Sequence, residues 1–525
     1  MTTQYASLLA RPNIRPRRSL ALFAVLSVFM MLLSYVVLLC IAAASAYLPY
    51  LVLTNMRTVN AQVLILFLSG VVIAGTILYS LFPRRDRFLP PGILLEPSAH
   101  PKLFEEIHQV AAALNEPVPE EVYLIGAVNA WVADRGGIVG FGSRRVMAIG
   151  LPLFSILSVP EFRSVLAHEF AHYYGGDTKL GPFVYRTQSA VARTLQNTAR
   201  FGADMSLPWL FRLVQRGVAH LLNWYFLLFL RVINFVSRKS EFRADELACI
   251  IAGNPAVAAG LRKIHGAGSA WFSYLADEVS PLAIGGHIPP IAAGFAQFLA
   301  APTVAPQIAQ YLEKELVGGE SDPYDSHPPL RQRLAAMNQY GVSLEAGEDQ
   351  GAVCLLPQLE QLELRWLEFV SPEHTTGFRA VAWSESAALA IIPSWRSTMD
   401  ENPSLFEGLR IEAVPSALQG LGEISRKFQD PKGTLLSPEQ RIEHVAQLLP
   451  IAVGLTLLDH GWQLEANPGL LYFHKDEQKL NVFEILGQLR SGSFPCQQWF
   501  ELSQRLGIAD LVITAADKTS ALRQA

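Results

Sequence analysis

The sequence predicts a mainly α-helical chain of the α+β class, with a transmembrane helical hairpin at the N-terminus and an α+β appendage at the C-terminus. Three observations predict it. Two uncharged apolar runs, Ser19 to Tyr47 and Ala61 to Phe82, each exceed the roughly 20 helical residues that cross a hydrocarbon core. Apolar residues recur at helical spacing in Pro101 to Leu114, and Ser164 to Asp177 reads as a further helix with an apolar side. Between them, Glu121 to Ile125, Ile138 to Phe141 and Val146 to Ile149 read as short strands of a small sheet.

The composition agrees with a chain partly in lipid. Half of the 525 residues are hydrophobic and 17% are charged, which is apolar for a soluble protein. The length gives room for two or three folding units. The expected division is a membrane hairpin over 1–90, a central domain over 91–345 with an apolar helical insert at 180–236, and a C-terminal domain over 346–525. A net charge of -4 offers no basic footprint, so no nucleic-acid partner is expected.

Basic residues orient the hairpin. Arg11, Arg15, Arg17 and Arg18 precede the first run and Arg84, Arg85 and Arg87 follow the second, against Arg57 between them, so both ends should be cytoplasmic. A cleaved signal peptide, suggested by Ala44-Ser45-Ala46, is disfavoured because the run is long and a second one follows. Cys40, Cys249, Cys354 and Cys496 have no metal-ligand spacing and suggest no disulfide framework, in keeping with a reducing compartment.

After Pro90-Pro91 the chain leaves the membrane, and the predicted small sheet precedes the helix that carries the chemistry. Val146 to Gly150 reads equally as an exposed edge along which an extended peptide would lie and as an ordinary core strand. The helix contains His168, Glu169 and His172 in the pattern His-Glu-x-x-His. Residues four apart share a helix face, so both imidazoles can reach one ion with Glu169 beside them. Two neutral imidazoles leave room at Zn²⁺ for a third protein ligand and a water, and a carboxylate next to that water can take its proton. That arrangement serves hydrolysis of a peptide bond.

A third ligand is needed. Glu241 and Asp245 are again four apart on a predicted helix, so Glu241 can bind the ion while Asp245 holds a ligand histidine's second nitrogen. Taken alone, the stretch reads better as a solvated acidic helix start paired with Arg238, Lys239 and Arg243.

Together these motifs carry a resemblance. HEFAH followed by Asp177, then SRKSEFRAD, then SHPPLRQR at Ser326 to Arg333, resembles the HtpX-like and CAAX-prenyl-protease-like membrane zinc peptidases, with Asn129-Ala130 and Gly150-Leu151 similar to the family's approach to its active-site helix. The resemblance covers Leu94 to Asn338. It implies a zincin-like metallopeptidase domain with one Zn²⁺ per chain, held by His168, His172 and Glu241, with Glu169 as catalytic base and Asp245 as outer-shell acid. It further implies a place for His327 near the substrate carbonyl, a structural role for Arg333, and a matching position without assigned role at Asp177.

The remaining segments carry weaker signals. Trp209 to Phe235 is apolar but interrupted by Arg212, Arg216, His220 and Arg231, which favours a buried or interfacial helix over a span. Gly285 to Pro306 is rich in Ala, Gly and Pro and reads as a loop near the site. His100, His265 and His287 read as packing or surface residues. The C-terminal part shows helical stretches at Leu355 to Phe369 and Ile442 to Leu458 and a hairpin around Asn467-Pro468-Gly469.

The function expected is that of a membrane-anchored zinc endopeptidase in protein quality control or processing, in a bacterial-type inner membrane with the peptidase domain facing the cytoplasm. Its expected partners are protein or peptide substrates, unfolded or membrane-proximal, and the lipid bilayer. The competing reading is a non-enzymatic or latent scaffold that binds client proteins, against which stands Glu169, since binding alone does not call for a base.

Overall fold

The computed structural model describes residues 18–55, 60–82, 88–137, 142–173, 181–204, 206–318, 322–340, 350–371, 377–429 and 436–514. They form two compact units, Met1–Gly266 with Tyr311–Leu359, and Ala267–Gln310 with Glu360–Ala525. Both are mainly helical with small sheets, as the sequence predicts, while the strand expected at Ile138 to Phe141 lies outside the described residues.

The first unit begins with α1 (Arg18–Asn55) and α2 (Ala61–Leu81), followed by β1 (Ile93–Leu95), α3 (Pro101–Ala113), β2 (Glu121–Ile125), β3 (Ala130–Arg135) and β4 (Arg144–Gly150). Then come α4 (Leu151–Ile156), α5 (Val159–Ala171), α6 (Gly181–Ala203), α7 (Trp209–Ala252) and α8 (Asn254–Tyr274). Asn60 starts α2 by accepting the Val63 N–H at 2.9 Å, an ordinary side-chain cap. α1 and α2 pack so closely that a Cβ on Gly70 would lie 1.9 Å from the Ser45 carbonyl oxygen. Only glycine permits that approach.

The sheet order is β1-β2-β4-β3, with β2 and β4 parallel and the other pairs antiparallel. This corrects the expected edge. Val146 to Gly150 lies between two strands and is bonded on both sides, whereas β3 is an edge. Where β4 turns into α4, a Cβ on Gly150 would stand 1.8 Å from the Ala127 carbonyl oxygen, so the turn needs glycine.

α1, α2, α6 and α7 share one core, in which Leu38, Ile73, Ile77, Val191, Leu222 and Phe229 are buried. Ser34 and Tyr225 hydroxyls bond at 2.7 Å across it. α7 runs for 44 residues, about 66 Å at 1.5 Å per residue. Its outer side leaves Leu221, Trp224 and Leu228 exposed, an apolar surface that lipid would cover. The interfacial helix expected at Trp209 to Phe235 is therefore a candidate crossing together with α1 and α2. Two of its arginines, Arg212 and Arg216, sit in the first two turns, where long side chains can reach a headgroup region.

In the second unit, the helix Pro438–Asp459 is also long and apolar enough to cross a membrane, but Val445, Leu449, Val453 and Leu457 on it belong to a protein core. Burial of 61% of its most apolar window, against 28% to 33% for the three helices of the first unit, makes it a core helix. The hairpin Gln463–Asn467 with Leu470–Lys475 turns at Gly469, whose φ of 73° suits glycine. The segment expected as a loop at Gly285 to Pro306 contains the helix Ile291–Ala300. Its N-terminus is anchored because Glu363 accepts the N–H groups of Ile291 and Ala292 at 3.0 and 2.7 Å.

Candidate metal centre

α5 is set by its first turn and its apolar face. Glu161 accepts the Ser158 N–H at 2.8 Å, and Phe162, Leu166 and Phe170 are buried, which fixes the helix rotation and turns His168, Glu169 and His172 the other way. α7 supplies Glu241 and Asp245, which are buried rather than solvated, so the surface reading of that helix start fails.

His168, His172 and Glu241 each offer a ligand atom within 4.8 Å of the others. His168 Nε2 lies 3.3 Å from Glu241 Oε2 and His172 Nε2 lies 3.4 Å from Glu241 Oε1. Tetrahedral bonds of about 2.0–2.1 Å place ligand atoms roughly 3.3 Å apart, so the spacing fits a zinc ion. Two imidazoles and one carboxylate are also the right donor types, and they fill three of four positions.

The surroundings orient these donors. Asp245 Oδ1 lies 3.1 Å from His168 Nδ1, so that nitrogen holds a ring proton and Nε2 is the nitrogen turned to the ion. Arg333 holds Asp245 in turn, with Nε and Nη2 donating at 2.8 and 2.6 Å. Burial works to lower the His168 pKa, but the adjoining Asp245 and Glu241 carboxylates outweigh it and carry the value to about 10. Burial and the His168 charge push His172 down to about 4. Burial raises the Glu169 carboxyl to about 7, suitable for exchanging a proton near neutral pH.

His327 stands at the rim, largely exposed, with Nε2 3.8 Å from Glu241 Oε1. Its loop is fastened to α7: Asn234 donates to the Tyr324 carbonyl at 2.6 Å and Arg238 to the Asp325 carbonyl at 2.6 Å. Asp325 Oδ1 accepts the His327 N–H at 2.9 Å. Asp177 lies outside the described residues. The structure thus brings together His168, Glu169, His172, Glu241, Asp245, His327 and Arg333.

A cavity of about 320 Å³ adjoins the cluster, lined among others by Asn129, Ala130, His168, Glu169, His327 and Arg333. The edge strand β3 begins at its wall. The Gly150 N–H donates to the Asn129 carbonyl at 2.9 Å, so along β3 the even-numbered residues Ala130, Val132 and Asp134 turn their backbone groups to the open side. Asn129 Oδ1 accepts the Ala130 N–H at 2.9 Å and the Tyr173 hydroxyl donates to the Val132 carbonyl at 2.9 Å. The Ala130 carbonyl and Val132 N–H lie between these two caps.

The sequence did not disclose Asn234, Arg238, Tyr173 or the edge role of β3. Each works through a partner far along the chain, and only the adjacency of Tyr173 to His172 hinted at a place near the site. His265, which read as packing, also lines the cavity.

Residues 97–340 match Peptidase family M48, just under half of the chain. The chain is 26% identical over 219 residues to the protease HtpX homolog 2 of Methanosarcina mazei, covering 39% of this chain and 69% of that protein. It is 29% identical over 184 residues to the protease HtpX homolog of Acaryochloris marina, covering 33% and 58%, so that match spans little more than half of the relative. With the protease HtpX homolog of Syntrophobacter fumaroxidans it shares 25% identity over 251 residues, covering 45% and 74%. No solved structure gives a significant match. These similarities uphold the resemblance to HtpX-like membrane metallopeptidases and support a membrane-embedded protease acting on protein substrates.

Proposed function

We propose that this chain is a zinc-dependent endopeptidase anchored in a bacterial-type inner membrane, working in protein quality control or processing with its site on the cytoplasmic side. The observation that carries the proposal is the spacing of the His168, His172 and Glu241 donor atoms, with Glu169 on the same helix. Bound zinc would supply Lewis acidity, polarising the scissile carbonyl and acidifying water.

The side chains do the rest. Glu169 takes a proton from the attacking water and returns it to the leaving amine. Asp245 and Arg333 hold His168 with Nδ1 toward the carboxylate and Nε2 toward the ion, and His327 at the rim would donate to the carbonyl oxygen. A substrate segment extended along β3 would bond the Ala130 carbonyl and Val132 N–H, main-chain contacts that read little sequence. In this proposal the chain has three working parts: hairpin 1–90, peptidase 91–345 and a C-terminal part 346–525.

The bundle favours membrane-proximal substrate. Glu241 follows Ile233 of the bundle core by two turns of the same helix, so the cluster lies on the order of 12 Å along the axis from it. Excess arginine outside the hairpin supports the cytoplasmic orientation.

The test compares metal content and casein cleavage for the parent chain and Glu169→Gln. One zinc per chain in both, with cleavage slowed about 10²–10⁴-fold in the variant, supports the proposal. Zinc in both with casein bound and never cut would favour the scaffold reading.

A further inference from the structure

The cavity beside the metal cluster has a second wall that the chemistry above leaves unused. Helix α8 lines it with Val257, Leu261 and Ile264, at spacings of i, i+4 and i+7, and with His265 next to Ile264. Leu261, Ile264 and His265 are only half-buried. The same cavity touches His168 and Glu169, so a group resting on this wall is continuous with the reacting bond.

His265 is not loose on that wall. Its Nδ1 lies 2.8 Å from Glu315 Oε1, on the helix Ala305–Gly318. In the neutral ring, a proton donated from Nδ1 to Glu315 leaves Nε2 as the acceptor. Fixing the ring costs side-chain entropy, and what it gains is one polar atom held steady at the end of an apolar surface.

We infer that this wall is the subsite for a substrate side chain next to the scissile bond, and that it takes a large apolar side chain, with Tyr favoured over Phe. The inference rests on the peptidase reading of the cluster. Val257, Leu261 and Ile264 cover the body of the side chain, and the Tyr hydroxyl donates to His265 Nε2. An acidic side chain is rejected, because it would lose hydration against the apolar wall without gaining a donor. His265 is a specificity residue here and takes no part in bond breaking.

The test uses matched peptides carrying Ala, Phe, Tyr or Glu on either side of the cleaved bond. Cleavage is read with the parent chain, and binding by fluorescence anisotropy with the zinc-loaded Glu169→Gln chain. We expect Phe to exceed Ala by about 10-fold or more at one position. Tyr should exceed Phe by about 3- to 10-fold there, the worth of one hydrogen bond. His265→Leu should abolish the Tyr advantage and keep that of Phe, His265→Gln should restore part of it, and Leu261→Ala should shrink the Phe-over-Ala ratio.

Cleavage or binding without side-chain preference, or variants that weaken all peptides equally, would overturn the subsite. Preference in binding without cleavage by the parent chain would uphold the subsite and overturn the peptidase reading, so the two fail separately.

Discussion

Arg333 grips Asp245 with two parallel bonds, Nε to Oδ2 at 2.8 Å and Nη2 to Oδ1 at 2.6 Å, in a site where both side chains are almost wholly buried. Asp245 in turn faces His168 Nδ1, so a residue far along the chain sets the orientation of a candidate metal ligand. Geometry of this kind depends on the planar fork of arginine.

Arg333→Met should leave the Asp245 charge short of a partner, costing about 3–5 kcal/mol of stability. Asp245→Asn should also destabilise, because it leaves the buried Arg333 without its charge partner, and should in addition weaken zinc about 10–100-fold. Zinc competition titration and thermal unfolding of both variants separate these effects. Unchanged zinc affinity in Asp245→Asn would refute the orienting role.

Zinc affinity should depend steeply on pH. In the metal-free chain the raised His168 pKa, about 10, means an ion must displace a proton. Apparent affinity should then rise about tenfold per pH unit between roughly pH 6 and 8. The sign for stability is opposite: a histidine raised from 6.5 stabilises the metal-free fold fully below that value, and the contribution is lost as pH climbs through about 10. Proton release measured on zinc binding, and thermal scans of chelator-treated protein, check both.

Glu363 makes the helix Ile291–Ala300 pH-sensitive. Burial raises its carboxyl from 4.5 to about 7, against the two backbone N–H groups that favour its charge. The folded state therefore holds an extra proton, and local stability is intact below about 4.5 and lost as pH rises through about 7. The protection factors of the Ile291 and Ala292 amides, exchange taken relative to the intrinsic rate at each pH, should fall across that window. Glu363→Gln should flatten the pH dependence while costing about 1–3 kcal/mol, because its amide NH₂ meets a backbone donor. Protection factors that are level with pH in the parent chain would count against this account.

The membrane reading of α7 rests on Leu221, Trp224 and Leu228, which face outward. Leu228→Arg should disfavour insertion by about 2.5–3.5 kcal/mol, visible as a larger fraction extracted by alkaline carbonate. Leu228→Ala is the control. Equal extraction of the two variants would mean that this side of α7 meets protein or water.

Much of the site was legible because helix geometry is local. His168 with His172, and Glu241 with Asp245, are four apart, and a helix puts such residues on one face wherever it sits in the fold. The two N-terminal apolar runs were equally plain, since crossing a membrane requires length and lack of charge. α7 meets the length and apolarity of a crossing even though Arg212, Arg216, His220 and Arg231 interrupt it, so its sequence alone left both readings open, and the edge strand was misplaced because β2 and β4, not neighbours in sequence, pair in parallel.

The sequence by itself therefore determined the candidate ligand types, their pairing by helical turn, the candidate base and the apolar hairpin, all set by spacings of a few residues. Tertiary structure alone decided that Glu241 closes onto His168 and His172, that Arg333 locks Asp245, that β3 offers its edge and that His265 looks into the cavity. Those relations join residues on separate elements, and their distances follow from how apolar faces pack and strands register, which no local period encodes.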